Sequence, residues 1–284
     1  MKPVFVSIGF CCLSICCIAQ IFSGRLTDGQ SGEAVPYANI GVVGKNIGTA
    51  SDATGWFELE LNPLYDYDTL GVSCIGYETS KMAVHVLKSN AKPNDRVEIE
   101  LVPRTYQLKE VTVRPMKSRE YILGNFCDPD SPYGNAFYTK QLGTEIGVVI
   151  QLPRKNKRAF LKEFRFYVGR FTYDKFPVRV NIYSLLNGLP NRNILTRQIF
   201  VEITSEGEYR IDLKQYNIVT RDDFFISLEF YRVPDNTEGE LIFCATKERK
   251  KSSGKGYYRF TSQGNWMPEI VANVGFSVIA DCEK

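Results

Sequence analysis

Apolar and polar residues alternate along most of this chain, in short runs broken by turn residues. The clearest case lies between Tyr37 and Leu61. Ala38, Ile40 and Val42 share one face of the first run. Phe57, Leu59 and Leu61 share one face of the last, with Trp56, Glu58 and Glu60 on the other. A period of two predicts half-buried strands, because a helix would scatter the same side chains around its surface. Between these runs, Gly48-Thr49-Ala50-Ser51 predicts a short strand and Asp52-Ala53-Thr54-Gly55 a tight turn. Asp52 can accept from the backbone that follows it, and Gly55 can take a positive φ without Cβ strain. No GxxxxGK[ST] occurs here and no helical pattern follows, so the glycines read as turn chemistry rather than as a phosphate loop.

The same alternation continues on both sides. Phe22 to Leu26 predicts a strand, as do Thr69 to Ile75, the set Met82, Val84 and Val86, and the set Val97, Ile99 and Leu101. Leu108, Val111 and Val113 mark a last short strand. About seven short strands in this first third make a small sandwich with two apolar faces stacked. Arg114 to Tyr121 is basic, and residues 115–125 read as a linker. Alternation then returns at Ile146–Leu152, Phe164–Val168, Val178–Ile182, Phe200–Ile203, Tyr209–Leu213, Ile226–Phe230, Leu241–Ala245, Gly256–Thr261 and Val274–Ala280. Asn187-Gly188 and Pro190 sit in a hairpin-like connection. About nine or ten strands without a long helix predict a second, larger sandwich of the jelly-roll kind over residues 126–284.

Several motifs of the first third act together. Gly24, Ala38-Asn39-Ile40, Gly48-Thr49 with Asp52-x-x-Gly55-x-Phe57, Ser73-Cys74-Ile75-Gly76-Tyr77 and Leu108-x-Glu110-Val111-x-Val113 resemble the carboxypeptidase-regulatory-like domain. The stretch looks like the bacterial version found in exported proteins of Bacteroidetes-type organisms. The resemblance implies a transthyretin-like β-sandwich over residues 20–114 and no catalytic residues. In that family the domain often precedes the plug and barrel of an outer-membrane transporter. The remainder of this chain is too short for a plug and a large barrel, so transport is not expected. The second part resembles accessory jelly rolls of secreted bacterial proteins only loosely.

The N-terminus reads as processing sequence. Lys2 is followed by an apolar run from Val4 to Ile18, and Cys17-Ile18-Ala19 fits a small-x-small cleavage site, so residues 1–19 are expected to be a signal peptide. Leu13-Ser14-Ile15-Cys16 approaches a lipidation box, with a bulky Ile15 where a small residue is usual. Export to the periplasm or cell surface follows, with no membrane span in the mature chain and outer-membrane association left open. Cys74, Cys127, Cys244 and Cys282 then remain, and a disulfide is permitted outside the cytosol. Four cysteines allow three full pairings. Cys74 continues the buried face of Leu70 and Val72, and Cys127–Cys282 is the favoured pair because it would staple the two ends of the second unit.

Composition narrows the chemistry. A net charge of +3 over 284 residues gives no support to nucleic-acid binding. His85 is the only histidine and sits on the wet face of its run, which counts against His-based zinc sites and His-dependent triads. No cofactor or metal is expected: Asp128 and Asp130 fall short of the oxygen ligands calcium needs. The candidate ligand-binding residues are aromatic and basic ones on loops. They are Arg170, Phe171 and Tyr173, beside Lys175 and Phe176, together with Tyr257, Tyr258 and Trp266. Exposed aromatics there could stack on sugar rings. The dense basic run Lys247-Glu-Arg-Lys-Lys with Lys255 reads as a solvated hairpin tip. The expectation is a non-catalytic binding or assembly module for a glycan or protein partner. A carbohydrate-active hydrolase with loop carboxylates and a structural subunit of an outer-membrane complex are the alternatives.

Overall fold

The computed structural model describes residues 20–89, 96–104, 117–127, 133–137, 141–246, 254–270 and 272–284. The expected signal peptide, the strand at Leu108 to Val113, the Asp128/Asp130 pair and the basic run from Lys247 to Lys251 lie outside them.

In chain order the strands are β1 (Gln20–Asp28), β2 (Asn39–Val42), β3 (Gly48–Ala50), β4 (Trp56–Leu61), β5 (Thr69–Ser73), β6 (Ser80–Ala83) and β7 (Arg96–Leu101) in the first part. They continue as β8 (Ser118–Gly124), β9 (Gly134–Asn135), β10 (Thr144–Ile150), β11 (Ala159–Phe171), β12 (Phe176–Leu186), β13 (Leu189–Asn193), β14 (Ile199–Ile203) and β15 (Gly207–Asp212). The last are β16 (Val219–Thr220), β17 (Phe224–Phe230), β18 (Leu241–Thr246), β19 (Gly256–Arg259), β20 (Met267–Pro268), β21 (Asn273–Val274) and β22 (Ser277–Glu283). One short helix, α1 (Val84–Ser89), follows β6. The protein is all-β, built from curled and mainly antiparallel sheets.

Two sheets, β4-β1-β7 and β3-β2-β5-β6, enclose the first core. Phe22, Leu26, Ile40, Phe57, Leu59, Leu70, Val72 and Ile99 fill it. Residues of β4 alternate exposed and buried along all six positions, as the period of two requires. Asp52 accepts from the backbone N–H groups of Thr54 and Trp56, and Gly55 has φ +80°, so the predicted turn is present. A second pair of larger sheets encloses the second core. Their main paths are β13-β12-β17-β10-β19-β20 and β21-β18-β11-β22-β8. Leu161, Phe164, Phe166, Val178, Ile182, Ile226, Phe243 and Phe276 meet between them.

Three expectations need correction. The run Met82, Val84, Val86 is not one strand: β6 ends at Ala83 and α1 begins at Val84. Val84 and Leu87, three apart, are the buried pair, and that spacing belongs to a helix face. The stretch 115–125 is not simply a linker. Ser118–Gly124 pairs antiparallel with β22 from Ser277 to Glu283 and lays Tyr121 and Leu123 on the second core. Its charged Arg119 and Glu120 mask the alternation. Finally, Cys127 is bonded to Cys244, not to Cys282. Cys282 points from β22 into the second core as a buried thiol.

Candidate functional site

The distinctive chemistry lies on the outer face of the β12-β17-β10-β19 sheet. Residues alternate along each strand, so the neighbours of the core-facing Val180, Leu228, Ile146 and Tyr258 point the other way. In register they form a row across four strands. Arg179 lies opposite Glu229, Glu229 opposite Glu145, and Glu145 opposite Arg259. This Arg-Glu-Glu-Arg ladder is fully or nearly fully buried. A buried charge is tolerable only when paired and hydrogen-bonded. Arg179 donates through Nε and Nη2 to the Glu229 carboxylate at 2.9–3.0 Å. Arg259 Nη2 lies 2.6 Å from Glu145 Oε2. Asn181, one step along β12, donates to both carboxylates, and Ser227 donates to Glu145.

The two glutamates are pushed in opposite directions. Burial raises Glu145 above the ordinary carboxylate range, and Glu229 adds to this while Arg259 opposes it. Burial works the same way on Glu229, but Arg179 and Arg259 outweigh it and hold that carboxyl low. Burial, then Glu145, pushes the Tyr183 hydroxyl well up. Tyr183 donates to Glu145 Oε2 at 3.2 Å.

The first unit caps this face. Arg179 Nη1 donates to the Tyr37 carbonyl oxygen, and Nη2 donates to Asn39 Oδ1 at 3.0 Å. Tyr37 holds φ at +56°, an uncommon conformation for a bulky residue. Its ring packs edge-on against both Phe200 and Tyr231, at 5.5 and 4.9 Å between centroids. Ser262 also donates to Asn39 Oδ1, at 3.1 Å, and Gln263 Nε2 donates to Ser73 Oγ at 2.8 Å.

A row of glycines makes room for that loop. Gly41 of β2 lies opposite Gly48 of β3 and Gly71 of β5. A Cβ on Gly41 or Gly48 would land on the Ser262 carbonyl oxygen, and one on Gly71 would crowd the Gln263 side chain. The glycine-rich stretch therefore does more than turn: its flat face admits the Ser262–Gln263 backbone. Gly41→Ala should cost about 1–3 kcal/mol through this overpacking. Urea denaturation would read it, and an unchanged midpoint would refute the close fit.

Beside the seam lies a cavity of about 500 Å³ with one wall from each unit. Ser73, Tyr77, Thr79 and Lys81 belong to the first wall; Asn181, Asn191, Arg192 and Asn193 belong to the second. Arg179 and Arg259 lie in its floor, while Glu145 and Glu229 do not line it. Among the described residues Glu78 is the only carboxylate of the lining, and it pairs with Arg104 at 3.2 Å. Cys74, also in the lining, is half-buried, and its thiol is pushed up to about 11, chiefly by burial. Among the described residues no group of three or more His, Cys, Asp and Glu could hold a metal ion.

The six aromatic and basic residues singled out from the sequence do not form one platform. Arg170 pairs with Glu240, and the Phe171 backbone N–H donates to Glu206. Tyr173 is buried against Phe176, at 4.9 Å between centroids, beside an apolar cavity of about 490 Å³. Tyr257 and Trp266 pack with Tyr183 and Phe225 on the ladder face. Trp266 lies under the Arg259 guanidinium at 4.9 Å. Tyr258, on the opposite side of β19, packs on the second core. Sequence reasoning missed all four members of the ladder, Arg179, Glu229, Glu145 and Arg259. The available signal was charge at alternate positions of strands otherwise apolar on both faces.

Comparison with known proteins adds the following. The model of the CarboxypepD_reg-like domain matches residues 22–113. The chain carries that transthyretin-like domain. A 102-residue stretch is 28% identical to the DNA replication and repair protein RecF of Bacteroides thetaiotaomicron, covering 34% of this chain and 27% of that protein. The chain thus spans about a quarter of that relative's length. Among solved structures, the cysteine protease and lectin-like domains of Cwp84, a surface layer associated protein of Clostridium difficile, are 9% identical. The TM-score is 0.37, over 50% of this chain and 32% of that one.

Proposed function

Taking the CarboxypepD_reg-like domain at residues 22–113 as the premise, we propose that this protein is a non-catalytic binding module of the cell envelope. In this reading the transthyretin-like sandwich is followed by a jelly-roll-like one, and a glycan is held in the cleft between them. The cleft itself carries the proposal. Its walls present side-chain amides, hydroxyls and guanidiniums in close array, from Asn39, Asn181, Asn191 and Asn193 to Tyr77 and Arg259. Amides and hydroxyls both donate and accept, and guanidiniums donate in several directions, which suits a ligand covered in hydroxyls. Export is supported by the Cys127–Cys244 disulfide, a bond that persists in oxidising compartments.

The hydrolase alternative needs an acid and a base facing each other across the substrate. Glu78 in the cleft is engaged by Arg104, and Glu145 and Glu229 lie beneath guanidiniums. That arrangement favours holding over cleaving.

Glycans released from the native envelope should be retained by the immobilised protein. Thr79→Ala with Asn191→Ala, both at exposed cleft positions, should weaken retention about fivefold per hydrogen bond lost, without lowering the melting temperature. Failure of the wild-type protein to retain any released glycan would sink the reading.

A further inference from the structure

Among the described residues five cationic side chains line the cleft, and their pairing is incomplete. Arg104 is matched by Glu78, Arg179 by Glu229 and Arg259 by Glu145. Lys81 on the first wall and Arg192 on the second have no carboxylate partner among the described residues. Both are exposed at the mouth, so water solvates them while the cleft is empty.

Arg259 supplies a second, independent observation. It is 8% exposed, and its hydrogen bond to Tyr183 and its ion pair with Glu145 both run through Nη2. Its Nε is buried with no hydrogen-bond partner among the described residues. A buried donor left unmade is costly, and such groups in a folded protein call for an explanation. The guanidinium that carries this unused donor is itself a lining group of the cleft floor.

We propose that the cleft selects an anionic saccharide, with the charged group between Lys81 and Arg192 and the ring hydroxyls on the amides above Arg259. This rests on the glycan reading and names its chemical class. The ladder below is neutral, with two arginines against two glutamates, so it sets no preference for a charged ligand. The preference comes from the two unmatched cations at the mouth. Their attraction works over a few ångströms of partly excluded water and weakens with salt.

Calorimetry on the full chain would test this with three probes: tetragalacturonate, its fully methyl-esterified form, and a sulfated heparin tetrasaccharide. An acidic probe is expected to bind about tenfold or more tightly than the neutral ester, and less tightly as salt is added. Lys81→Gln with Arg192→Gln should abolish that preference, so that acid and ester bind with similar affinity. Binding of the heparin probe in place of tetragalacturonate would assign the anion to sulfate and still support the proposal. Equal affinity for ester and acid, or a double variant that keeps the preference, would overturn the charge selection while leaving the glycan reading intact. Retention of a neutral envelope glycan with no binding of either acidic probe would overturn it in the same way. No saccharide binding of any kind would overturn both.

Discussion

Arg179→Met is expected to lower the unfolding free energy by about 3–5 kcal/mol, the usual cost of stranding one member of a buried ion pair. The Arg179 and Glu229 side chains are 3% and 0% exposed, so water cannot replace the missing partner. The same substitution removes the bonds to the Tyr37 carbonyl and Asn39, which join the two units. Adding Glu229→Gln to Arg179→Met should recover a large part of the loss, because an amide is far cheaper to bury than a charge. Urea denaturation of the two singles and the double closes the cycle. A loss under about 1 kcal/mol for Arg179→Met would mean that the ladder is solvated and the seam open.

The opposite directions of the two glutamates sharpen this. Glu229 is held below its ordinary value of 4.5, so its contribution to stability is present above that pH and is lost on acidification through its folded value. Glu145 is raised above 4.5, so its contribution is present below that pH and is lost as pH rises through its folded value. The two slopes oppose each other. Glu145→Gln should lack the gain in stability that the wild type shows as pH falls towards 4.5, and should keep the loss below it. It should also be milder at neutral pH than Glu229→Gln, since burial already disfavours the Glu145 charge.

Strand positions were legible in the chain where one face is dry and the other wet. β4, with Phe57, Leu59 and Leu61 against Glu58 and Glu60, is the plain case. Reading failed where a second surface covers the wet face. Along β17, Phe224 to Phe230 are all buried, and Ser227 and Glu229 hide among the apolar residues for a reason outside the strand. Only register across β12, β17, β10 and β19 turns four separated charges into a row. The glycines illustrate the same limit. Turn chemistry accounts for Gly55, but Gly41, Gly48 and Gly71 are small because of Ser262 and Gln263, more than 190 positions further along. The aromatics expected to form a sugar platform are engaged elsewhere. Tyr173 and Tyr258 instead serve the second core, because a sandwich of this size draws its aromatics inward.

Loss of the Cys127–Cys244 bond is the other large effect to expect. The two cysteines are 117 positions apart, with Cα atoms 5.8 Å apart in the folded chain. A cross-link closing so long a loop removes much freedom from the unfolded state, and its loss should cost about 3–5 kcal/mol. For a domain of this size that corresponds to a melting temperature lower by about 10 °C. The bond ties the segment after β8 to β18, next to the point where the Gly275 N–H donates to the Cys244 carbonyl. Neither cysteine lines the polar cleft, so glycan retention by Cys127→Ser with Cys244→Ser should persist below its melting temperature. Peptide mapping without reduction supplies the pairing directly. Cys282, 3% exposed, should stay unmodified by a thiol reagent until the protein unfolds and then react as a free thiol. A Cys127–Cys282 peptide, or an unchanged melting temperature after reduction, would refute the staple and reopen the choice among the three pairings.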